Sequence, residues 1–273
     1  FRGRGIELKM FPLSFSEYYG FKQGDRRQAF NEYMMYGGMP YLIQELESMQ
    51  RAEYLRTITE TVFTDDIVER YGIRNKDALR AVLSLLCSSI GSYVSSSKIA
   101  LTLKSSGHAS VDHKTVINYL NNLCDAFLFY RADRYDIKGK AYLKTLFKYY
   151  SVDIGLRNAF LNFRQIEPTH TIENIVYLEL LHRGYIVDIG KNDQKEIDFI
   201  AKNMKDTFYI QVTYTMVDES TRERELGSFK KLDDGYKKIV VTMDDDPFND
   251  LGSGYKKINM LDFLLDEESL EKI

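Results

Sequence analysis

Between residues 173 and 213, three carboxylates and a glutamine follow one another on what reads as a helix and two strands. Glu173 opens Glu-Asn-Ile-Val-Tyr-Leu-Glu-Leu, a helical run. Glu196-Ile-Asp198-Phe-Ile reads as a strand, and alternate residues of a strand share a face, so its two acids point the same way. Tyr209-Ile-Gln211-Val-Thr213 reads as the next strand. Further on, helices are predicted around 219–233 and 260–266, and strands at Ile186–Ile189, Phe208–Thr213 and Lys238–Thr242. Helices interleaved with strands predict an α/β layer over residues 166–273.

The middle of the chain has a different rhythm. Helices are predicted from Asp77, read as an N-cap, from the Ser95–Ser97 run, and from Asp112. On the last, Val116, Tyr119, Leu120 and Leu123 form one buried stripe at helical spacing. Two strand-like runs follow, Phe127–Ala132 and Phe147–Val152, joined by a basic loop around Lys138 and Lys140. Three helices and a two-stranded wing over 76–165 predict a winged helix-turn-helix. Upstream, Ser14 and Glu17 make a capping box after a short strand at Gly5–Phe11, and Gly37-Gly38-Met39-Pro40 breaks the following helix. Residues 41–70 continue helically. The expected fold is multi-domain, α and α/β.

The chain is acidic overall, with a formal net charge of −3, so any nucleic-acid surface must be local. Two places qualify. The third helix of the middle region carries Lys114, Asn118 and Asn121, side chains suited to phosphates and base edges. The wing, residues 131–148, holds six cations against two aspartates, with Lys138 and Lys140 at its tip. The competing reading is a winged helix that engages protein, with lysines that keep the wing solvated. Arg222 and Arg224 either reach toward the carboxylates or belong to a solvated charged helix.

Some functions are set aside. No histidine has metal-site spacing, and no Gly-rich phosphate loop of the Walker type occurs. No run of about 18 apolar residues exists, so no membrane helix is expected, and no signal peptide is visible. Cys87 and Cys124 sit at apolar helical positions, which favours a reducing, cytoplasmic compartment, with one disulfide left open. The first residue is Phe1, which suggests that upstream sequence is missing.

The order of helix glutamate, strand acid and following strand is similar to the way the PD-(D/E)XK nuclease fold assembles a magnesium site. In that pattern Gln211 stands where a second acid is expected and Thr213 where a lysine is expected. The chain as a whole resembles a large prokaryotic family of AAA-type ATPases with a C-terminal nuclease-like domain. Gly3-Arg4 followed by Glu7-Leu-Lys-Met-Phe-Pro-Leu-Ser-Phe-Ser-Glu-Tyr, Tyr36-Gly-Gly-Met-Pro40, Lys148-Tyr-Tyr-Ser-Val-Asp153-Ile-Gly-Leu-Arg157-Asn, Glu173-Asn-Ile-Val, Glu196-Ile-Asp198-Phe-Ile and Ile210-Gln-Val-Thr-Tyr carry the resemblance.

The resemblance implies three parts: 1–75 as ATPase tail and helical lid, 76–165 as winged helix, 166–273 as a restriction-endonuclease-like α/β domain. It implies Mg²⁺ or Mn²⁺ held by Glu173 and Asp198, with Glu196 as a further ligand, and Gln211 completing a degenerate catalytic set. It implies ATP binding only through an upstream core, with Arg4 as a nucleotide-sensing arginine. Three functions follow: a DNA- or partner-engaging regulatory module with a degenerate nuclease-like domain, a metal-dependent DNA nuclease, or a protein-interaction scaffold. The DNA expected is double-stranded.

Overall fold

Among the described residues, eight strands pair into one sheet in which the strands of the middle region adjoin those of the C-terminal region. The computed structural model describes residues 9–44, 46–108, 111–164, 167–246 and 249–273. Arg4 and most of the segment predicted as a strand at 5–11 lie outside them.

The first described elements are α1 (Phe15–Lys22), with the Ser14/Glu17 capping box at its start, and α2 (Arg26–Tyr36), capped by Asp25. A 3-10 turn at Pro40–Ile43 leads to α3 (Ser48–Thr61), which runs on as a π-helical stretch, Val62–Glu69. Next come α4 (Lys76–Ser88), β1 (Tyr93–Val94), α5 (Ser96–Ser105) and α6 (His113–Asp125). Asn75, rather than Asp77, caps α4, because its side chain reaches the Ala78 N–H. The predicted stripe on α6, Val116, Tyr119, Leu120 and Leu123, is buried.

β2 (Phe129–Asp136) and β3 (Ala141–Ser151) are longer than the sequence suggested. The reason is that β2 has two partners. It pairs antiparallel with β3 and, through Arg134–Asp136, parallel with Ile189–Lys191 of β4 (Ile186–Asn192). The hairpin is therefore built into the same sheet as the C-terminal strands, and the division expected at residues 165/166 is crossed by backbone pairing. β5 (Lys195–Lys202), β6 (Thr207–Thr213), β7 (Lys237–Thr242) and β8 (Tyr255–Asn259) complete the sheet. β8 had no counterpart in the sequence reading.

Side chains alternate between two cores, as strand geometry requires. Phe199, Ala201, Phe208, Ile210, Ile239 and Val241 join the larger core beneath α8 (Pro168–His182) and α10 (Met260–Leu265). Ile200, Tyr209 and Val240 face the opposite way and pack with Phe229, which follows α9 (Glu219–Ser228). The larger core also runs through α4 and α6, so the helical and sheet regions share apolar packing.

A short helix, α7 (Ile154–Phe160), ties the regions together. Asn158 donates to the carbonyls of Met34 and Met35, satisfying the end of α2. Arg157 donates to the Cys87 carbonyl at the end of α4. Asp153 caps α7 through the Leu156 N–H and also accepts from the Gly38 N–H. The Gly37-Gly38 breaker and the Asp153-Ile-Gly155 segment, 115 residues apart in sequence, are thus two halves of one joint.

Burial pushes the Asp153 carboxyl up to about 6, partly offset by the backbone N–H groups aimed at it. The folded state therefore prefers the protonated acid. The stabilisation this brings is complete below the unfolded pKa of about 3.9 and is lost as pH rises toward 6, a swing of about 3 kcal/mol. The urea midpoint of the wild type, measured against Asp153→Asn, is expected to fall between pH 4 and pH 7. A relative rise would contradict this account of the joint.

Candidate functional site

The acidic residues meet at a cation that the sequence reading placed elsewhere. Glu173 projects from α8, and Glu196 and Asp198 from one face of β5. Between them lies the ammonium of Lys148 on β3, 3.1 Å from Glu173 Oε1 and 2.6 Å from Glu196 Oε1. Tyr150, two residues on along β3 and so on the same face, donates to Glu173 Oε1 at 2.7 Å. Lys148 and Glu173 are buried, and the side chain of Glu196 keeps 29% exposure. In the sequence Lys148 is one more charge on a basic wing. No local signal distinguishes it, because the strand pairing that carries it to the acids exists only in the folded sheet.

The electrostatics follow from burial. Desolvation favours loss of the Lys148 proton, but Glu173, Asp198 and Glu196 together outweigh it and raise its pKa. Burial also works against the Glu173 charge, yet Lys148 and the surrounding donors hold it below the usual carboxylate range. Asp198 goes the other way: burial and the nearby Glu173 push it well above the usual range. Glu173 also raises His170, whose Nδ1 lies 3.8 Å from Glu173 Oε2. Of the two acids assigned to a divalent ion, Glu173 is thus paired with the Lys148 ammonium, while burial favours the protonated form of Asp198.

Gln211 and Asp198 do structural work at this point. The β5–β6 ladder ends at the Phe199–Ile210 pair. Beyond it Gln211 Oε1 accepts from the Asp198 N–H at 2.8 Å, and Asp198 Oδ2 accepts from the Val212 N–H at 2.8 Å. Gln211 Nε2 then donates to Glu225 of α9 at 2.7 Å. Both side chains bridge strands that have spread apart, so Gln211 is committed at both ends. Thr213 donates to the Thr215 carbonyl. Arg224 turns back onto Glu225, and Arg222 lines a separate cleft with Asp244 and Asp246.

The segment leading into β1 packs against the cluster. A Cβ added to Gly91, just before β1, would stand 3.1 Å from Glu173 Oε2, and φ there is +70°. Tyr93 of β1 lies with its ring 5.6 Å from the Lys148 ammonium and beneath the Arg134 guanidinium. Among the described residues, no three His, Cys, Asp or Glu side chains are placed to hold a metal ion. The donor set does not fit Mg²⁺ or Mn²⁺ as it stands. Glu173 already receives Lys148 and Tyr150, one Asp198 oxygen is held by backbone, and an ammonium sits among the acids.

The nucleic-acid candidates lie away from this cluster. Lys114, Asn118 and Asn121 are exposed on α6, and Lys140 is exposed at the hairpin turn. Lys138 pairs with Asp193 in the β4–β5 turn at 2.5 Å, which fastens the wing tip to the sheet. No helix among the described residues is long and apolar enough to cross a membrane.

Comparison with known proteins gives a class before any individual relative. Residues 27–167 match the family described as Domain of unknown function (DUF8612), and the chain belongs to that family. An uncharacterized protein of Haemophilus influenzae is 39% identical over 245 residues, covering 88% of this chain and 60% of that protein. The uncharacterized protein MJ1544 of Methanocaldococcus jannaschii is 27% identical over 277 residues, covering 96% of this chain and 61% of that protein. The chain thus spans about three fifths of the length of these relatives. No solved structure matches. Lys148 falls within the family match and Glu173, Glu196 and Asp198 beyond it, so the cluster joins the matched region to the rest of the chain.

Proposed function

We propose that this chain is a DNA- or partner-engaging regulatory region of an AAA-type ATPase, with a winged helix and a restriction-endonuclease-like core that does not cleave. The observation that carries the reading is the Lys148 ammonium bound between Glu173 and Glu196. A divalent ion in a nuclease neutralises its acids and activates water. Here a fixed side chain takes the first task and offers no open coordination position for the second. The cluster then acts as a buttress that fixes the hairpin against the sheet, while the exposed face of α6 and Lys140 remain free to meet double-stranded DNA. Free thiols at Cys87 and Cys124 fit a reducing, cytoplasmic setting. ATP would bind only in an upstream core.

One observation favours the second reading, a metal-dependent nuclease: Lys148 supplies the cation that Thr213 lacks. The two readings separate in a cleavage assay. Linear and supercoiled duplex, incubated with the chain and Mg²⁺ or Mn²⁺, are expected to stay intact. Cleavage that disappears in Asp198→Ala would overturn the proposal in favour of the nuclease.

A further inference from the structure

Pairing between β2 and β3 jumps from Ala132–Lys148 to Arg134–Leu143, so Lys144–Phe147 stand opposite Asp133 alone on the β2 side, while Phe147 still pairs with Val94 of β1. Leu146 adopts φ +62°, a region that a branched residue seldom enters, and stays 40% exposed. Bulges re-aim side chains. This one closes a cleft of about 270 Å³ against the start of α5 and the flank of α6.

The cleft is chemically divided. Its apolar wall includes Ile117, itself 41% exposed, with Leu120 and Phe147. Its rim carries Asn121, Arg131 and Lys144, with hydroxyls at Ser97 and Thr145. The Arg131 guanidinium lies 4.5 Å above the Phe147 ring while pairing with Asp133. Lys144 has no ion-pair partner and the Asn121 amide no hydrogen-bond partner among the described residues. An apolar wall, an amide able to donate and accept, and an uncommitted cation match the three surfaces of a nucleotide: base face, base edge and phosphate. An apolar peptide anchor would leave the amide and hydroxyls unused.

We propose that this cleft takes one unstacked nucleotide of a nucleic acid, its base against Ile117 and Phe147, its edge on Asn121 and its phosphate on Lys144. The inference rests on the nucleic-acid arm of the proposed function and adds that the preferred ligand is a strand with an extrahelical base.

The test uses the whole 273-residue chain and fluorescence anisotropy with two labelled probes, a perfect duplex and the same duplex carrying a one-nucleotide bulge. The bulged probe is expected to bind about fivefold more tightly, the low end of what one stacked base contributes. Ile117→Asp and Asn121→Ala, both on exposed side chains, are expected to reduce that preference severalfold. Equal affinity for both probes overturns the inference and leaves duplex binding standing. No binding of either at low salt overturns both. A preference that survives in both variants removes the cleft from the explanation. Displacement of the bulged probe by an acidic peptide as effectively as by unlabelled bulged DNA assigns the cleft to an acidic protein instead, and overturns the inference too.

Discussion

Lys148→Met is expected to destabilise the protein by about 3–5 kcal/mol at neutral pH, the range for removing one partner of a buried ion cluster. The methionine fills nearly the same volume, so the loss comes from charge rather than from a cavity. It leaves Glu173 and Glu196 facing each other with no ammonium between them. The deficit should shrink as pH falls through the carboxylate range, because protonation removes the uncompensated charges. Adding Glu173→Gln should recover part of the loss, since contacting residues couple. Urea unfolding of the single and double variants measures this. A single variant within about 0.5 kcal/mol of wild type, the usual range for a surface substitution, would mean that the cluster contributes no buried charge pairing.

The other large effect is expected at Gly155→Ala. A Cβ there would lie 1.9 Å from the Tyr36 carbonyl oxygen and 3.0 Å from Asp153 Oδ1. The first atom is backbone, so no side-chain rotation can relieve the clash. Either α7 or the end of α2 must shift, which would also strain the hydrogen bonds from Asn158 to Met34 and Met35. Overpacking a close joint typically costs about 1–3 kcal/mol, and a backbone clash belongs at or above the upper end. Gly20→Ala on α1 is the control. Nothing lies within 4 Å of its added Cβ, and gain of a helix former there should stabilise by about 0.5–1 kcal/mol. Similar unfolding midpoints for the two variants would remove the joint from the account.

What could be read from the sequence was what depends on neighbours along the chain. The α6 stripe, the Ser14/Glu17 box and the two acids of β5 each follow from a spacing within a few residues. The acidic half of the candidate cluster was visible for the same reason. Its cationic half was not. Lys148 reaches Glu173 through packing of α8 on the sheet, and Glu196 through a chain of pairings from β3 to β2, β4 and β5. In the sequence it sits in a run of similar lysines. Gln211 was legible as a substitution but not as a clamp, because its partners are the Asp198 backbone and Glu225 on another element. The full length of β2 is not legible locally, because its pairing with β4 depends on distant sequence.

On the proposed reading, the Lys148 ammonium stands where a nuclease would hold its divalent ion. Titration of the wild-type chain with Mn²⁺, followed by the loss of the free-ion paramagnetic resonance signal, tests it directly. The account predicts no stoichiometric binding at millimolar metal. One tightly bound Mn²⁺ per chain, lost in Asp198→Ala, would contradict it and make the core a metal site.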